Sequence, residues 1–521
     1  MTGETANRQE RRKDLIVLIV LALLILAVAG YGRPSLSYTW DPQNKLVQAW
    51  SLWEAGYSSD ELFYYLKDQD PGYRFFPHGS NAFGKIDGRF VSAFPVALAA
   101  LFAPVLALLG PAGVVYVSAF LLLFCCLALY RLWNFRGLWL FSPLIFTFLF
   151  SFTLEYGEHL LLALLTFVGL SLLARSEDNG RKAALGGLIC GAGVFLRHET
   201  LPLLLSVGLA YLAVFAFQNL LSRLRPLFLF TLGASTGVLA FFLLNLILYG
   251  HPLGPRFLIN ASGLEVSWAL RAQWALDLLF WHGVKPGLFG YMPALLLVYG
   301  LALYFARHLS SGARLMLLTA LIYIPLVLLI VPNNGIMDWG PRYFGPILLP
   351  SLAVTHELWQ RKELQSRRWI RGMILLLALV TPALNYTGLK FLRNARKVTG
   401  QVTEALQQRD AAIWVFAGID SFYYTGTEYL KRPIVSLNDH KDLSKLMTIL
   451  QSEYPGSKAL FLYMPPPSGA VDNPEVLQMQ MRNSFDAKEL AQIQDSLKGE
   501  QTGQIIPGLL FLEGTVGESQ N

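Results

Sequence analysis

The sequence predicts an α-helical polytopic membrane protein of about eleven transmembrane helices, followed by a small C-terminal α/β domain. Of the 521 residues, 54% are hydrophobic and 15% are charged, whereas soluble domains carry about 25% charged residues. Apolar runs of helix length recur along the chain. Such runs must be helical in hydrocarbon, because the backbone there has to satisfy its own hydrogen bonds. After residue 389 the composition becomes polar and the apolar runs shorten to strand length.

The first apolar run follows "RRK" and covers residues 14–31. It exceeds the core of an ordinary signal peptide, so we interpret it as an uncleaved first span. The further apolar runs lie near residues 92–109, 112–130, 137–154, 160–174, 184–196, 201–217, 227–249, 287–306, 313–331, 343–356 and 372–388.

One apolar run is not expected to cross the membrane. If every run crossed, the basic loops would alternate between the two sides, against the positive-inside rule. Residues 92–109 carry Pro95 and Pro104 and are followed by Gly110-Pro111. Because proline interrupts a helix, we expect a helix lying in, or dipping into, the outer membrane face. The basic loops on the inner side then hold 18 Lys and Arg residues, which predicts an inner N-terminus and a bacterial inner membrane.

The domain division predicted from composition is a transmembrane domain at 1–389 and an extracytoplasmic α/β domain at 390–521. The first outer loop, residues 32–91, is rich in aromatic residues and is expected to form interfacial helices. In the C-terminal domain the apolar runs predict the strands of a mainly parallel sheet, at "AAIWVFAG", "PIVSL", "KALFLYMP" and "GLLFLEG". The pattern also predicts a helix at "DLSKLMTILQSEY" and a surface loop at "MPPPSGAVDNPE".

Charge and cysteine content exclude two classes of protein. The formal net charge is +7, but much of the basic excess lies in short loops between spans. The positive charge therefore indicates on which side of the membrane the loops lie, and we predict no nucleic-acid partner. The three cysteines, Cys125, Cys126 and Cys190, lie inside apolar runs. They show neither a disulfide framework nor a metal-binding spacing.

Chemically capable side chains concentrate on the predicted outer side. Charged groups close to the membrane usually face a cavity and mark function, so we expect one outward-facing cavity to collect most of them. The expected set is Asp41, Glu155, Glu158, His159, Arg197, Arg256, Asp338 and Arg342, with Lys85 and Arg89 as further candidates for the donor phosphate. Asp338 lies outside the residues that the structure describes.

A series of motifs in fixed order resembles a known family. "KLVQAWSLWEAG" follows Asp41, then come "DGRFVSAFPVALAALFAPVLALLG", "YGHPLGPRF", "GLFGYMPALLLVYGLAL" and "GPRYFGPILLP". Over residues 14–390 the chain resembles the GT-C superfamily of integral-membrane glycosyltransferases, which includes protein O-mannosyltransferases and lipid A aminoarabinose transferases. The resemblance implies an inverting enzyme that moves a sugar from a polyprenyl-phosphate donor to an acceptor at the outer face. It also implies polyprenyl-phosphate sugar and membrane lipids as partners.

The resemblance also implies site residues. Asp41 occupies the place of the family's first-loop acid, although Pro42 follows where many members have a second acid. Glu158 matches the acid of the next outer loop, and Arg342 matches a basic residue near the donor phosphate. Glycosyl transfer needs a base for the acceptor proton and positive charge for the departing phosphate, and these residues could supply both.

Each site assignment has a structural alternative. Asp41 could instead cap a helix starting at Lys45, or lie in solvent. Arg342 could anchor the chain at the interface beside Tyr343. The cations Lys85, Arg89, Arg197 and Arg256 could bind the donor phosphate or reach toward lipid headgroups.

The sequence "EYGEH" offers a further polar cluster. Glu155 could share a helix face with Glu158 or His159 if the turn is helical. With Asp41 as a further ligand, the cluster could hold a divalent metal, Mg or Mn. Alternatively, it could only hold helix ends together.

Two other functions are compatible with the sequence. Pro42 favours a non-catalytic relative that binds a lipid carrier or assists envelope assembly. A transporter or flippase is the other alternative, although the spans lack the charged mid-membrane residues that coupled transport usually needs.

Overall fold

The computed structural model describes residues 3–33, 40–77, 82–176, 179–215, 220–260, 266–283, 285–335, 339–418, 425–466 and 481–518. The helices are α1 Gly3–Tyr31, α2 Trp40–Glu54, α3 Val96–Trp133, α4 Ser142–Ile145, α5 His159–Ala174, α6 Gly180–Ala192, α7 Thr200–Phe215, α8 Leu220–Tyr249, α9 Gly254–Asn260, α10 Trp268–Leu279, α11 Leu288–Tyr291, α12 Pro293–Tyr304, α13 Ser311–Ile330, α14 Gly345–Trp359, α15 Lys362–Ser366, α16 Arg368–Ala378, α17 Val380–Gln407, α18 Leu443–Glu453 and α19 Ala487–Asp495. The strands are β1 Phe83–Ile86, β2 Arg89–Ser92, β3 Trp281–His282, β4 Lys285–Pro286, β5 Ile413–Phe416, β6 Ile434–Ser436, β7 Lys458–Tyr463, β8 Leu497–Ile506 and β9 Leu509–Val516.

The chain divides into two compact units. The first, called here the helical unit, comprises Met1–Pro34 and Pro95–Arg393. The second, called here the sheet unit, comprises Ser35–Phe94 and Asn394–Asn521. The sequence predicted a boundary at residue 389 and assigned the first outer loop to the membrane domain. The structure instead groups most of that loop with the C-terminal residues.

The helical unit contains long apolar helices, as a multi-pass membrane protein requires. Among the described residues, the helices long and apolar enough to cross a membrane are Arg12–Tyr31, Val96–Trp133, Leu224–Tyr249, Ser311–Ile330 and Arg368–Gln407. The pair Gly137–Ile145 and Phe148–Leu154, bent by 68°, adds one further candidate span. Several other predicted runs form apolar helices shorter than 18 residues. The count of eleven crossings therefore stays a prediction.

The run that was expected not to cross is part of α3. That helix joins the runs 92–109 and 112–130, but its backbone is non-helical at Gly110, with φ 66° and ψ −171°. A residue with a side chain is strained at such a positive φ, so glycine suits the break. Pro111 then starts the second segment, where the fixed φ of proline is compatible with a first helical turn.

Glycines set the packing of α6 against α8. A Cβ atom built on Gly187 would lie 1.9 Å from the carbonyl oxygen of Phe230, and one on Gly233 would lie 2.1 Å from that of Ala184. Gly191 and Gly237 are crowded in the same way. Small residues spaced four apart allow helices in membranes to approach backbone to backbone. This contact fixes the end of α6, from which the chain enters the loop that carries Arg197.

The sheet unit is a mixed α/β fold. Its five-stranded sheet has the order β6-β5-β7-β9-β8. β5 pairs in parallel with β6 and with β7, whereas β9 pairs antiparallel with β7 and β8. The predicted strands around 413, 434, 458 and 509 and the helix α18 are confirmed. The expectation of a mainly parallel sheet is wrong, because β8 and β9 form a hairpin. Most of the predicted surface loop "MPPPSGAVDNPE" lies outside the described residues.

Aromatic side chains of the 35–94 segment complete the core of the sheet unit. Phe75 and Phe76 are buried in the same apolar cluster as Trp414. The backbone also joins the two parts, since the amide of Ser436 donates to the carbonyl of Phe75 at 2.9 Å. The side-chain amide of Asn438 donates to the carbonyls of residues 74 and 76. These contacts are the physical reason why the predicted first loop belongs to this unit.

Candidate active site

A group of buried charges lies in the helical unit. The Nη1 atom of Arg197 is 2.7 Å from Oε1 of Glu158, and its Nη2 atom is 2.7 Å from Oε1 of Glu199. The Nε atom of Arg197 also donates to Oε2 of Glu199 at 3.1 Å. Arg256 approaches the same Oε1 atom of Glu199 at 3.7 Å. The side chains of Arg197 and Glu158 are 3% and 2% exposed, so this ion-pair network is desolvated.

Arg342 joins the same group through an aromatic ring. The guanidinium carbons of Arg197 and Arg342 lie 5.4 and 5.5 Å from the ring centre of Tyr343. Both arginines therefore lie within the range of a cation–π interaction. Tyr343 is held by hydrogen bonds at both ends, since its hydroxyl donates to Asn333 at 2.7 Å and its carbonyl accepts from Tyr323 at 2.8 Å.

Short connections between helices present these side chains. Arg197 and Glu199 lie in the turn between α6 and α7, and Glu158 precedes the first residue of α5. Arg256 is on the short helix α9, and Arg342 begins a 3-10 turn before α14. Four separate segments therefore converge at the ends of apolar helices, where the sequence placed its polar residues.

The group brings three guanidiniums together. Arg197, Arg256 and Arg342 lie among the carboxylates of Glu158 and Glu199 and interact electrostatically with one another. A guanidinium offers a planar fork of donors that matches the oxygens of a carboxylate or a phosphate. The arrangement therefore suits a phosphate group.

The pKa shifts report the same electrostatics. Burial alone raises the pKa of the Glu199 carboxyl, but Arg197 and Arg256 outweigh burial and hold that pKa well below its ordinary range. Burial, then the neighbouring Arg197, lower the pKa of the Arg256 guanidinium. Burial and Arg256 also lower the pKa of His198 to about 4. His198 is therefore neutral at pH 7, and Glu199 is ionised.

The sequence predicted most of this group but missed two members. It selected Glu158, Arg197, Arg256 and Arg342 as candidates, and the structure brings them together. It did not select Glu199, and it considered Tyr343 only as an interfacial neighbour. The available signal was the spacing in "RHET", because a buried arginine needs an acid and Glu199 is two residues away.

Glu155 and His159 are also buried, but not on a shared helical face. Residues 155–158 are not helical, and α5 begins only at His159. The condition for the predicted face is therefore not met. The carbonyl of Glu155 accepts a hydrogen bond from Ser118 at 3.1 Å. The ring of His159 lies 4.4 Å from that of Phe152.

The remaining candidates lie in the sheet unit. Asp41 is in the first turn of α2, which begins at Trp40, so it is not the cap of a helix that starts at Lys45. An acid in a first turn is stabilised by the helix dipole. Arg89 pairs with Asp60 at 2.5 Å, and Lys85 is exposed on β1. The roles of Asp41, Lys85 and Arg89 in substrate binding stay predictions.

The described residues hold no group of three or more His, Cys, Asp or Glu side chains that could hold a metal ion. Glu158 and Glu199 both bind Arg197 directly. These two carboxylates therefore serve as counter-ions for arginine in this structure.

Comparison with known proteins identifies the fold. No protein-family model and no curated protein match the chain. Among solved structures, ArnT from Cupriavidus metallidurans bound to undecaprenyl phosphate is similar with a TM-score of 0.54 at 10% identity, covering 96% of this chain and 97% of that chain. The apo state of the same protein gives 0.50 at 11%, with the same coverage. An Archaeoglobus fulgidus oligosaccharyltransferase tethered with an acceptor peptide gives 0.49 at 11%, covering 97% and 74%. The likeness to the two ArnT structures confirms the GT-C-like fold predicted from the sequence.

Proposed function

We propose that this chain, which shares the fold of ArnT, is an inverting glycosyltransferase. It moves a sugar from a polyprenyl-phosphate donor to an acceptor at the outer face of the bacterial cytoplasmic membrane. The observation that carries the proposal is the convergence of Arg197, Arg256 and Arg342 in the helical unit. The ArnT structure with undecaprenyl phosphate supports the same ligand class.

The arginines divide into two roles in this proposal. Arg342 and Arg256 face the donor phosphate, since a guanidinium offers a planar fork of donors that matches its oxygens. Arg197 contributes charge to the same place and is held there by Glu158 and Glu199. Glu158 therefore acts as a positioning residue.

The proposed reaction is a single displacement at the sugar's anomeric carbon. The acceptor oxygen attacks this carbon, and the bond from the carbon to the phosphate oxygen breaks. The electron pair of that bond leaves with the polyprenyl phosphate, whose charge the arginines stabilise. The acceptor proton goes to the carboxylate of Asp41 as general base. Attack from the face opposite the leaving phosphate inverts the anomeric configuration.

The test uses the full-length protein in lipid nanodiscs, with radiolabelled undecaprenyl-phosphate sugars and bacterial envelope extract as acceptor. We expect transfer by the wild type and a loss of about 100-fold or more in Arg342→Ala, because a donor to the developing charge is removed. Asp41→Asn should retain binding of undecaprenyl phosphate and lose transfer. Arg361→Ala, which breaks a surface pair with Glu357, is the control.

Two results would argue for other functions, and a third would contradict the proposed phosphate site. Binding of the lipid without transfer from any sugar donor would support a lipid-carrier-binding protein. Uptake of the lipid across a liposome bilayer would support a flippase. Unchanged lipid binding in Arg342→Ala would contradict the proposed phosphate site. Repeating the assay with EDTA, then with Mg²⁺ or Mn²⁺, tests the metal dependence that the sequence raised.

A further inference from the structure

A basic surface lies in the helical unit, where α15 is followed by α16. Residues 361–371, "RKELQSRRWIR", contain five Lys and Arg residues and one acid, Glu363. Arg361 is compensated, because it pairs with Glu357 at 3.1 Å. The other four cations are called here the basic patch: Lys362, Arg367, Arg368 and Arg371. Within the part of the chain that the structure describes, none of these four has a carboxylate at ion-pair distance.

Buried apolar side chains fix the backbone that carries the basic patch. Leu364 in α15 is 1% exposed and Ile370 in α16 is 4% exposed. Between them, the amide of Arg367 donates to the carbonyl of Leu364 at 3.1 Å, and the amide of Ile370 donates to the carbonyl of Arg367 at 3.0 Å. The fold therefore sets the spacing of the cations, as it would for a binding site.

Arg371 contacts an aromatic side chain of another helix. Its guanidinium carbon lies 4.2 Å from the ring centre of Trp359, the last residue of α14, within the range of a cation–π interaction. The ring holds the guanidinium without neutralising it. Lys362, Arg367 and Arg368 are exposed. Like charges on one surface repel one another, and an anion bound among them would reduce this repulsion.

The basic patch lies at the start of a candidate membrane span. The span Arg368–Gln407 begins with α16. Trp369 is 69% exposed, and Met373, Leu375 and Leu376 are exposed further along the same helix. Exposed apolar residues of a span face lipid, and tryptophan is enriched at the level of the headgroups. This order of residues places the patch at the headgroup layer, where phosphate groups are the available anions.

We propose that the basic patch binds the headgroup of an anionic phospholipid, such as phosphatidylglycerol or cardiolipin. The arginines donate hydrogen bonds to the lipid phosphate, which matches the planar fork of a guanidinium, and Lys362 adds positive charge. Clusters of about four to eight Lys and Arg residues next to a transmembrane helix are typical of sites for anionic lipids. The proposal goes beyond the transfer reaction, because the patch and the arginine group share no residue.

The test measures binding of phosphatidylglycerol with a fluorescent acyl chain to the full-length protein in detergent. Phosphatidylcholine with the same label is the neutral reference. We expect the wild type to bind phosphatidylglycerol about tenfold more tightly than phosphatidylcholine, since each basic residue near the headgroup adds attraction. The triple variant Arg367→Gln, Arg368→Gln, Arg371→Gln should lose this preference. If the triple variant does not fold, the double variant of the exposed Arg367 and Arg368 should still lose most of it.

The control removes the same charge from other helices. Arg181 and Lys182 on α6 and Arg225 on α8 are exposed cations. The triple variant Arg181→Gln, Lys182→Gln, Arg225→Gln should keep the preference within about twofold, because charges that do not hold the headgroup act on it only through screening solvent.

Three outcomes would overturn the proposal. The first is equal binding of both lipids by the wild type. The second is an equal loss of preference in the patch variant and the control, which would mean unspecific attraction to basic residues. The third is an unchanged preference in the patch variant. Arg342→Ala should keep the preference for phosphatidylglycerol even if it loses undecaprenyl phosphate, which separates this proposal from the proposed function.

Discussion

At the scale of single residues, Arg197 holds the buried charge group together. It forms hydrogen bonds with two carboxylates that are almost fully buried. Forming such a network costs desolvation on both sides, so its net contribution to stability is small. Breaking it by removing one partner is different, because the remaining buried charges then have nothing to compensate them.

Arg197→Ala should therefore destabilise the helical unit by about 3–5 kcal/mol, the usual cost of leaving buried partners unpaired. The measurement is thermal unfolding of the purified protein in detergent, followed by tryptophan fluorescence. Arg361→Ala removes an i,i+4 surface pair with Glu357 and should cost no more than about 0.5 kcal/mol. Equal melting temperatures for the two variants would show that the network is not desolvated.

His198 should make stability depend on pH. Burial, then Arg256, lower its pKa from 6.5 to about 4 in the folded state. The unfolded chain therefore binds a proton more readily between these values, and stability falls as the pH falls from about 6.5 toward 4. The melting temperature of the wild type should drop more steeply from pH 7.5 to 5 than that of His198→Asn. The exposed His308 provides the control variant His308→Asn, whose slope should equal that of the wild type.

The sequence could predict which residues carry charge at the ends of apolar runs, but not how they pair. Arg197 and Arg342 were selected because a charge near membrane depth needs a function. Glu199 was missed although it is only two residues from Arg197, because the sequence does not show which acid a buried arginine will contact. Arg89 was selected as a ligand of the donor phosphate, whereas in the structure it forms an ion pair with Asp60. Pairings of this kind depend on contacts between distant segments.

At the scale of helices and strands, apolar content predicted most of the apolar elements, but it missed one polar strand and placed one helix boundary differently from the structure. The strands β5, β6, β7 and β9 were visible as short apolar runs. β8 was not, because its sequence "LKGEQTGQII" is polar and most of its residues are exposed or half-exposed. α3 was expected as two elements, since Gly110-Pro111 is a typical helix boundary. In the structure the two helical segments follow each other directly, with only the non-helical Gly110 between them.

The packing of α6 against α8 gives a prediction at this scale. Gly187→Ala adds a methyl group where a Cβ would lie 1.9 Å from a backbone oxygen. The helices must move apart, at a cost of about 1–3 kcal/mol. This displaces the turn that carries Arg197, so the proposed transfer reaction should slow and the melting temperature should fall.

Gly208 and Gly300 are the matched controls. Each lies within a helix, α7 or α12, and a Cβ there meets nothing within 4 Å. Gly208→Ala and Gly300→Ala should leave stability unchanged or raise it slightly, since alanine is the better helix former. A Gly187→Ala protein that melts like these two would contradict the close contact.

At the scale of the whole molecule, the sheet unit is built from two parts of the chain separated by the helical unit. Composition predicted a C-terminal domain, and that domain exists. It could not predict that residues 35–94 belong to it, because aromatic residues in a first outer loop are also typical of a membrane interface. Burial of Phe75 and Phe76 beside Trp414 resolves that choice.

Asn438→Ala tests how the two parts of the sheet unit are joined. The change removes hydrogen bonds of 2.8 and 3.1 Å to the carbonyls of Arg74 and Phe76, worth about 1–2 kcal/mol together. Hydrogen exchange of the amides of residues 73–76 should accelerate about tenfold, whereas that of β5 should not change. Thr448→Ala, which removes only a bond to its own helix, is the control. Equal protection in both variants would mean that these bonds do not hold the segment.

The orientation inferred from the basic loops can be tested with introduced cysteines. The native cysteines are all buried, so new ones on the surface can be labelled selectively. Thr448→Cys lies on α18 and Arg307→Cys in a predicted inner loop, and both positions are exposed. A membrane-impermeant maleimide should label Thr448→Cys in cells with a permeabilised outer membrane and label Arg307→Cys only after lysis. The reverse pattern would place the N-terminus outside.

The split construction of the sheet unit has a consequence for biogenesis. Residues 35–94 leave the ribosome first, but about 300 residues intervene before their packing partners exist. At a synthesis rate of ~5–20 residues per second this delay lasts tens of seconds. During that time Phe75 and Phe76 are not buried by the residues that pack against them in the folded protein. Until residues 394–521 are made, this apolar surface lacks its packing partners. Chains truncated before residue 394 should therefore be degraded faster than the full-length protein.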